Sequence, residues 1–333
     1  MITVQSKNKS LRRRSKLGNL LTERLNITYP ILQGGMGNIS DPGLAAAVSN
    51  VGGLGTIGAG NMPVEEVLTK IKEMMKRTSK PYCVNVPISV HPHTEQLIQE
   101  LIELKVPAVS LSAGNPAPFV PLLKEHDITV ICVSSTVSQA KKAEAAGVDI
   151  IVCEGYEAAG INALNESTTM TLIPQVVEKV SVPVVAAGGI ANGKGLAAAL
   201  SLGALGVQMG TRFIATKESP YHDNYKQKII HATDESTIIV GRRYHRIRRL
   251  MKTNYVHKLT ELEMKHEKPD LFIEETSEDH HKLGAIVGDL DNGFINGGQI
   301  AGLIDDCPTV EELIATMVRD AKQILKFSME KLM

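Results

Sequence analysis

Glycine pairs recur in this chain where a strand would hand over to a loop. Glycine there lets main-chain N–H groups approach and wrap an anion. Two such junctions are Ala187-Gly188-Gly189-Ile190 and Met209-Gly210-Thr211-Arg212-Phe213, and Thr211 adds a hydroxyl donor. Together they point to a bound phosphate; taken singly, each pair could serve only a tight turn. A third run, Gln33-Gly34-Gly35-Met36-Gly37, would let a planar ligand lie against the main chain, with Met36 covering a ring face without hydrogen-bonding demands. Its plainer role is the turn before a helix at Asp41-Pro42. Asn85 and Glu154 end otherwise apolar runs, where a polar side chain commonly faces a ligand because an unpartnered buried Glu is costly. Each could equally be a structural hydrogen bonder. Among the titratable groups, His91 and His93 could reach such a site, but they flank Pro92 before a helix start at Thr94, which favours loop or capping roles. His280-His281 has no metal-ligand spacing and is expected to be exposed, and no metal site is expected.

These residues need a scaffold that brings distant loops to one rim. From residue 29 short apolar runs alternate with helical stretches. The candidate strands are 30–33, 54–58, 82–86, 108–112, 129–133, 150–154, 183–187 and 206–209. They lack clean polar alternation, as strands covered on both faces do. Eight strand–helix units favour a closed (β/α)₈ TIM barrel over a doubly wound sheet, and phosphate is commonly held after strands 7 and 8 of such a barrel. The two glycine junctions fall at those two places. Residues 25–216 are therefore expected to form the barrel core. Residues 217–290, with bases at 242–249 and then acids at 261–279, should form a mostly helical insertion covering the mouth. Residues 291–333 should return and supply the last barrel helix.

Composition narrows the function. In 333 residues, 36 Lys plus Arg balance 36 Asp plus Glu, there is no Trp, and nothing resembles a membrane span or signal peptide. Neither nucleic acid nor membrane is an expected partner. Cys83, Cys132, Cys153 and Cys307 are widely spaced, the first three in apolar runs, and read as buried reduced thiols of a cytoplasmic protein. Residues 1–24 read as a solvated basic tail that could mimic a transit peptide.

The ordered motifs also resemble a known family. The runs from Tyr29 to Met36, Val51 to Gly55, Cys83 to Val86, Ala113 to Pro116, Glu154 to Ala158, Ala186 to Ile190 and Val207 to Phe213 resemble nitronate monooxygenases (2-nitropropane dioxygenases). That family includes the FMN-dependent enoyl-acyl-carrier-protein reductases, and the segment from Gly288 to Leu303 looks closest to that branch. The resemblance implies a TIM barrel holding FMN. Its ring would lie over Gly34, Gly35 and Met36, with Asn85, Glu154 and Gly160 beside it and its phosphate at Gly188, Gly189, Gly210 and Thr211. Most members carry Glu-Ala-Gly-Gly-His after strand 6, whereas this chain reads Glu157-Ala158-Ala159-Gly160-Ile161-Asn162. Ile161 cannot act as a base, and Asn162 can only hydrogen-bond.

Asn162 and His245 are then the candidate catalytic residues, His245 because the Arg242–Arg249 block resembles the enoyl reductase segment near the mouth. The block's five arginines could meet an acyl carrier protein, coenzyme A or the phosphates of NAD(P)H. Alternatively they are a solvated helix face paired with the acids at 261–279. Without a Rossmann glycine turn, NAD(P)H would enter the mouth transiently. The expected reaction is NAD(P)H-dependent reduction of an activated C=C of enoyl thioester type. The alternatives are oxidation of alkyl nitronates with O₂ and a flavin-binding protein without turnover; a homodimer stays open.

Overall fold

The computed structural model describes residues 19–331. Eight parallel strands form the barrel: β1 (Ile31–Gln33), β2 (Gly55–Gly58), β3 (Tyr82–Pro87), β4 (Ala108–Ser112), β5 (Thr129–Ser134), β6 (Ile150–Glu154), β8 (Val184–Ala187) and β9 (Gly206–Met209). Their order is β1-β9-β8-β6-β5-β4-β3-β2, and a parallel bridge between Leu32 and Leu54 closes the ring. All eight expected strands are present, with ends shifted by a residue or so. Helices Val64–Arg77, Thr94–Glu103, Val137–Ala145 and Thr169–Val177 flank the barrel, the second starting at its expected residue.

Two apolar layers hold the ring. Leu32, Leu54, Cys83, Ala108, Ile131, Ile150, Val152, Val185 and Ala187 fill the inside, while a larger shell packs the strands against the outer helices. The N-terminal end of the barrel is stoppered by a helix, Leu20–Leu25, whose buried Leu21 and Leu25 join the inner layer. A Cβ on Gly206 would stand 2.4 Å from Leu21 Cδ2, so the stopper requires glycine at that contact. Arg24 binds Asp149 at 2.6 Å. The basic segment is thus folded from Asn19 onward rather than solvated to residue 24; its first 18 residues lie outside the described ones.

Residues 217–290 contribute four helices, Asp223–Ile230, Asn254–Met264, Pro269–Glu275 and Glu278–Lys282, and they also contain two strands. β10 (Thr237–Val240) and β11 (Arg248–Met251) pair antiparallel, and β11 pairs in turn with β7 (Gly160–Ile161), the tip of the loop after β6. A bridge from Leu250 to Asn296 adds the returning chain. The arginine block is therefore a turn running into a strand, not a helix face. A separate cluster of Val240, Leu250, Tyr255, Val256, Leu259, Phe272 and Phe294 gives this lid its own core. The long helix Val310–Glu330, with a capping box at Thr309 and Glu312, packs on the barrel helix Gly193–Ser201. Among the described residues, no helix is long and apolar enough to cross a membrane.

Candidate active site

The C-terminal ends of the strands open into a cavity of about 840 Å³, bounded below by the barrel and above by the lid. Gly34, Gly35, Met36, Asn85, Glu154, Gly160, Ile161, Asn162, Gly188, Gly189, Gly210 and Thr211 all line it. Residues from five barrel strands thus meet in one space, as the closed barrel requires.

The glycine rim is built for close approach. Gly188 and Gly189 have φ of +90° and +73°, and a Cβ on Gly188 would stand 2.9 Å from Gly155 O. A Cβ on Gly210 would meet nothing within 4 Å and would project into open space. Thr211 Oγ1 accepts a hydrogen bond from Gly298 N at 3.0 Å, which leaves its own proton free to donate. Thr169 Oγ1 donates to Gly188 O at 2.9 Å, and the Glu157 carboxylate accepts from Thr169 N. Gln299 N donates to Glu157 O, so the returning chain stitches the loops after β6 and β9 together.

At the opposite wall, Gly35 packs on Asn85, whose Cβ would be 2.8 Å from any Cβ at position 35. Asn85 Nδ2 donates to Ser110 O and Ser112 Oγ, both at 3.1 Å, which leaves Oδ1 as an acceptor toward the cavity. Tyr221 donates its hydroxyl to Met36 Sδ at 2.9 Å and fixes that side chain. Glu154 is half-buried with no hydrogen-bond or ion-pair partner among the described residues, and desolvation pushes its pKa up to about 7. Burial likewise raises the thiols of Cys83 and Cys153 to about 12, so they remain protonated and unreactive.

Asn162 lines the cavity, with its Nδ2 turned back on Ala158 O at 2.9 Å and its main-chain N–H donating to Ile247 O; it holds the loop to the lid. His245 is exposed at the turn before β11, with φ +53°, and is not part of the cavity wall. Its place at the turn follows from Gly241, whose carbonyl anchors the Tyr244 and Arg246 N–H groups. His93 is the N-cap residue of its helix, and its N–H donates to His91 Nδ1.

The histidine that does reach the cavity is His281, and the expectation that it is exposed is corrected: only 3% of its surface is accessible. Its Nδ1 lies 3.3 Å from Glu278 Oε2, its Nε2 3.0 Å from Asn296 Nδ2, and its ring stacks on Phe294. The i, i+3 spacing of Glu278 and His281 on one helix face was the available signal. Asn296 comes from the returning chain and no local pattern ties it to them.

A TIM barrel whose glycine-lined rim and polar lid enclose one cavity defines a class, enzymes with their active site at the C-terminal ends of the strands. The nitronate monooxygenase family model matches residues 18–96 and 88–320. The chain belongs to that family and is an oxidoreductase. A probable nitronate monooxygenase from Staphylococcus saprophyticus is 32% identical, with 93% of this chain and 99% of that protein aligned. FabK from Thermotoga maritima superposes with a TM-score of 0.90 at 38% identity, covering 95% and 99% of the two chains. A nitroalkane oxidase from Streptomyces ansochromogenes gives 0.80 at 25% identity, over 93% and 99%.

Proposed function

We propose that the protein is an FMN-dependent oxidoreductase that takes hydride from NAD(P)H and reduces an activated C=C, of the enoyl thioester type. The carrying observation is the wall at Ile161. In a cavity near the upper size of ligand pockets, an isoleucine faces the ligand where most of the resembled family has a base. Reducing a conjugated double bond needs no base there, whereas removing a carbon-bound proton from a neutral nitroalkane does. The returning segment's likeness to the enoyl reductase branch points the same way.

The residues present fit FMN. Gly188, Gly189, Gly210 and Thr211 offer main-chain N–H groups and one hydroxyl to a phosphate, and a Cβ at Gly210 would project into the open cavity space. Gly34 and Gly35 would leave a bare main chain for a flat ring, Met36 would cover it, and Asn85, whose Nδ2 is committed to Ser110 O and Ser112 Oγ, would offer Oδ1 as an acceptor. Glu154 can remain a neutral donor up to about pH 7. When bound, the flavin supplies two-electron hydride exchange between nicotinamide and acceptor. The protein's part is to fix the ring, exclude water beneath the lid and orient the acceptor. An acyl carrier protein would dock on the outer half of the basic block, Arg242, Arg243 and Arg246, which are exposed, since Arg249 is buried against Tyr156.

Anaerobic titration tests this: NADH or NADPH bleaches the flavin, and a crotonyl thioester restores its colour. Oxidation of nitronates is the second function, favoured because an already anionic nitronate needs no base. It requires bleaching by propionate 3-nitronate and none by pyridine nucleotides. Ile161→His then tests the wall itself, with measurable turnover of neutral nitroalkanes as the expected gain.

A further inference from the structure

One cation in the cavity wall has no counter-ion. Arg248 is half-buried on β11, and among the described residues its side chain makes no hydrogen bond or ion pair. Glu278 acts on it electrostatically without reaching ion-pair distance, and its guanidinium lies over the Phe294 ring, 5.7 Å from the centroid. Desolvation lowers its pKa from the usual arginine value. Removing a guanidinium from water without a partner is costly, so such a site gains from a ligand oxygen.

Its position says which ligand. β11 pairs antiparallel with β7, and Arg248 stands directly opposite Ile161. Directly opposed residues share a face, and both line the cavity. The guanidinium therefore flanks the Ile161 wall of the cavity. The Phe294 ring that carries Arg248 also stacks on His281, with centroids 5.2 Å apart. Asn296, held by His281, keeps its Oδ1 buried without a partner. A carbonyl oxygen only accepts, so the subsite uses that amide turned end for end: Oδ1 then accepts from an N–H at His281 Nε2, and Nδ2 is left as the donor.

We propose that Arg248 and Asn296 form the subsite for the acceptor's carbonyl oxygen, with Glu278 and His281 as positioning residues. This rests on the reductase function above. In that reaction a C–H bond forms at the β-carbon with hydride drawn from NAD(P)H. The π pair moves through the carbonyl onto oxygen, and the α-carbon then takes a proton from water. Charge grows on the oxygen during the first step, where a fixed guanidinium in a water-poor cavity acts most strongly.

The test is calorimetric binding of S-butyryl-N-acetylcysteamine, a saturated thioester without phosphate, to flavin-loaded protein. Arg248→Met is expected to weaken binding by about tenfold to a hundredfold, as for a hydrogen bond to a charged group. Arg248→Lys should fall between, and flavin affinity should stay within about twofold. Flavin-free Arg248→Met should melt no lower than the parent, because an uncompensated cation has gone. Arg248→Lys and Asn296→Ala carry the test should Arg248→Met fail to fold. Equal thioester binding by parent and Arg248 variants overturns the subsite, as does a parent that binds no thioester. Loss of binding of 2′,5′-ADP with thioester binding kept would give the cation to the nucleotide and overturn it too. If NAD(P)H does not bleach the parent, the reductase function fails; if it does and Arg248 variants bind thioester normally, only the subsite fails.

Discussion

The two sides of the cavity offer a ligand different chemistry. The barrel rim is largely main chain: Gly34, Gly35, Gly188, Gly189 and Gly210 leave space, with the Gly34 N–H held by Met209 O, and Met36, Asn85, Glu154 and Thr211 add side chains. The lid works through side chains: Arg248, Glu278, His281 and Asn296 form a polar cluster on the Phe294 ring. Such a rim excludes an added atom where the backbone is tight, as at Gly35 and Gly188, and makes little demand on neighbouring side-chain identities. A side-chain site can be retuned one residue at a time. In an enzyme this separation lets a constant cofactor and a variable acceptor be held independently.

The strongest way to break that division is Gly188→Val. At φ +90°, with a Cβ 2.9 Å from Gly155 O, the loop must move. Strain and a shifted cradle, of order 3 kcal/mol, should weaken flavin binding about a hundredfold. Flavin retention after gel filtration reads this directly. Normal retention would mean the rim does not hold the phosphate.

His281→Ala should do the opposite. Acceptor kcat/KM is expected to fall about tenfold or more through a misplaced Asn296, with flavin retention unchanged. Asn296→Ala should show the same loss and the double variant little beyond it; additive losses would mean that His281 does not act through Asn296.

Thr211→Val removes both the donor hydroxyl and the partner of Gly298 N. About 1 kcal/mol, or several-fold in flavin affinity, is the expected loss. An unchanged affinity would leave the hydroxyl with only its tie to the returning chain.

The smallest effect concerns Glu154. Its folded pKa of about 7 lies above the ordinary glutamate value of 4.5, so the folded state holds a proton that the unfolded chain releases. Stability is fully present below pH 4.5, declines above it, and the loss is complete once pH passes about 7. Flavin-free Glu154→Gln should therefore match the parent near pH 4.5 and melt progressively higher than it toward pH 8. A difference independent of pH would show that the carboxyl is not desolvated.

Much of this was legible in the linear chain. The eight apolar runs located every barrel strand, because a strand covered on both faces must be apolar throughout. The glycine junctions located the rim, because backbone recognition writes itself locally. β10, β11 and β7 were not legible: β7 is two residues long, and its partner strand is almost ninety residues away. Arg248 and His245 sit three residues apart in one basic block, yet one enters the cavity and the other meets solvent. Strand register decides that, and register is fixed only when Arg248 pairs with Ile161.

By itself, then, the sequence determined the barrel, its glycine rim and the missing base at Ile161, since each depends on local composition or on one residue's chemistry. Only the tertiary structure decided which polar side chains of the lid face the ligand. That choice depends on pairing between segments far apart in the chain, and on burial that makes an unpaired cation or amide costly until something binds it.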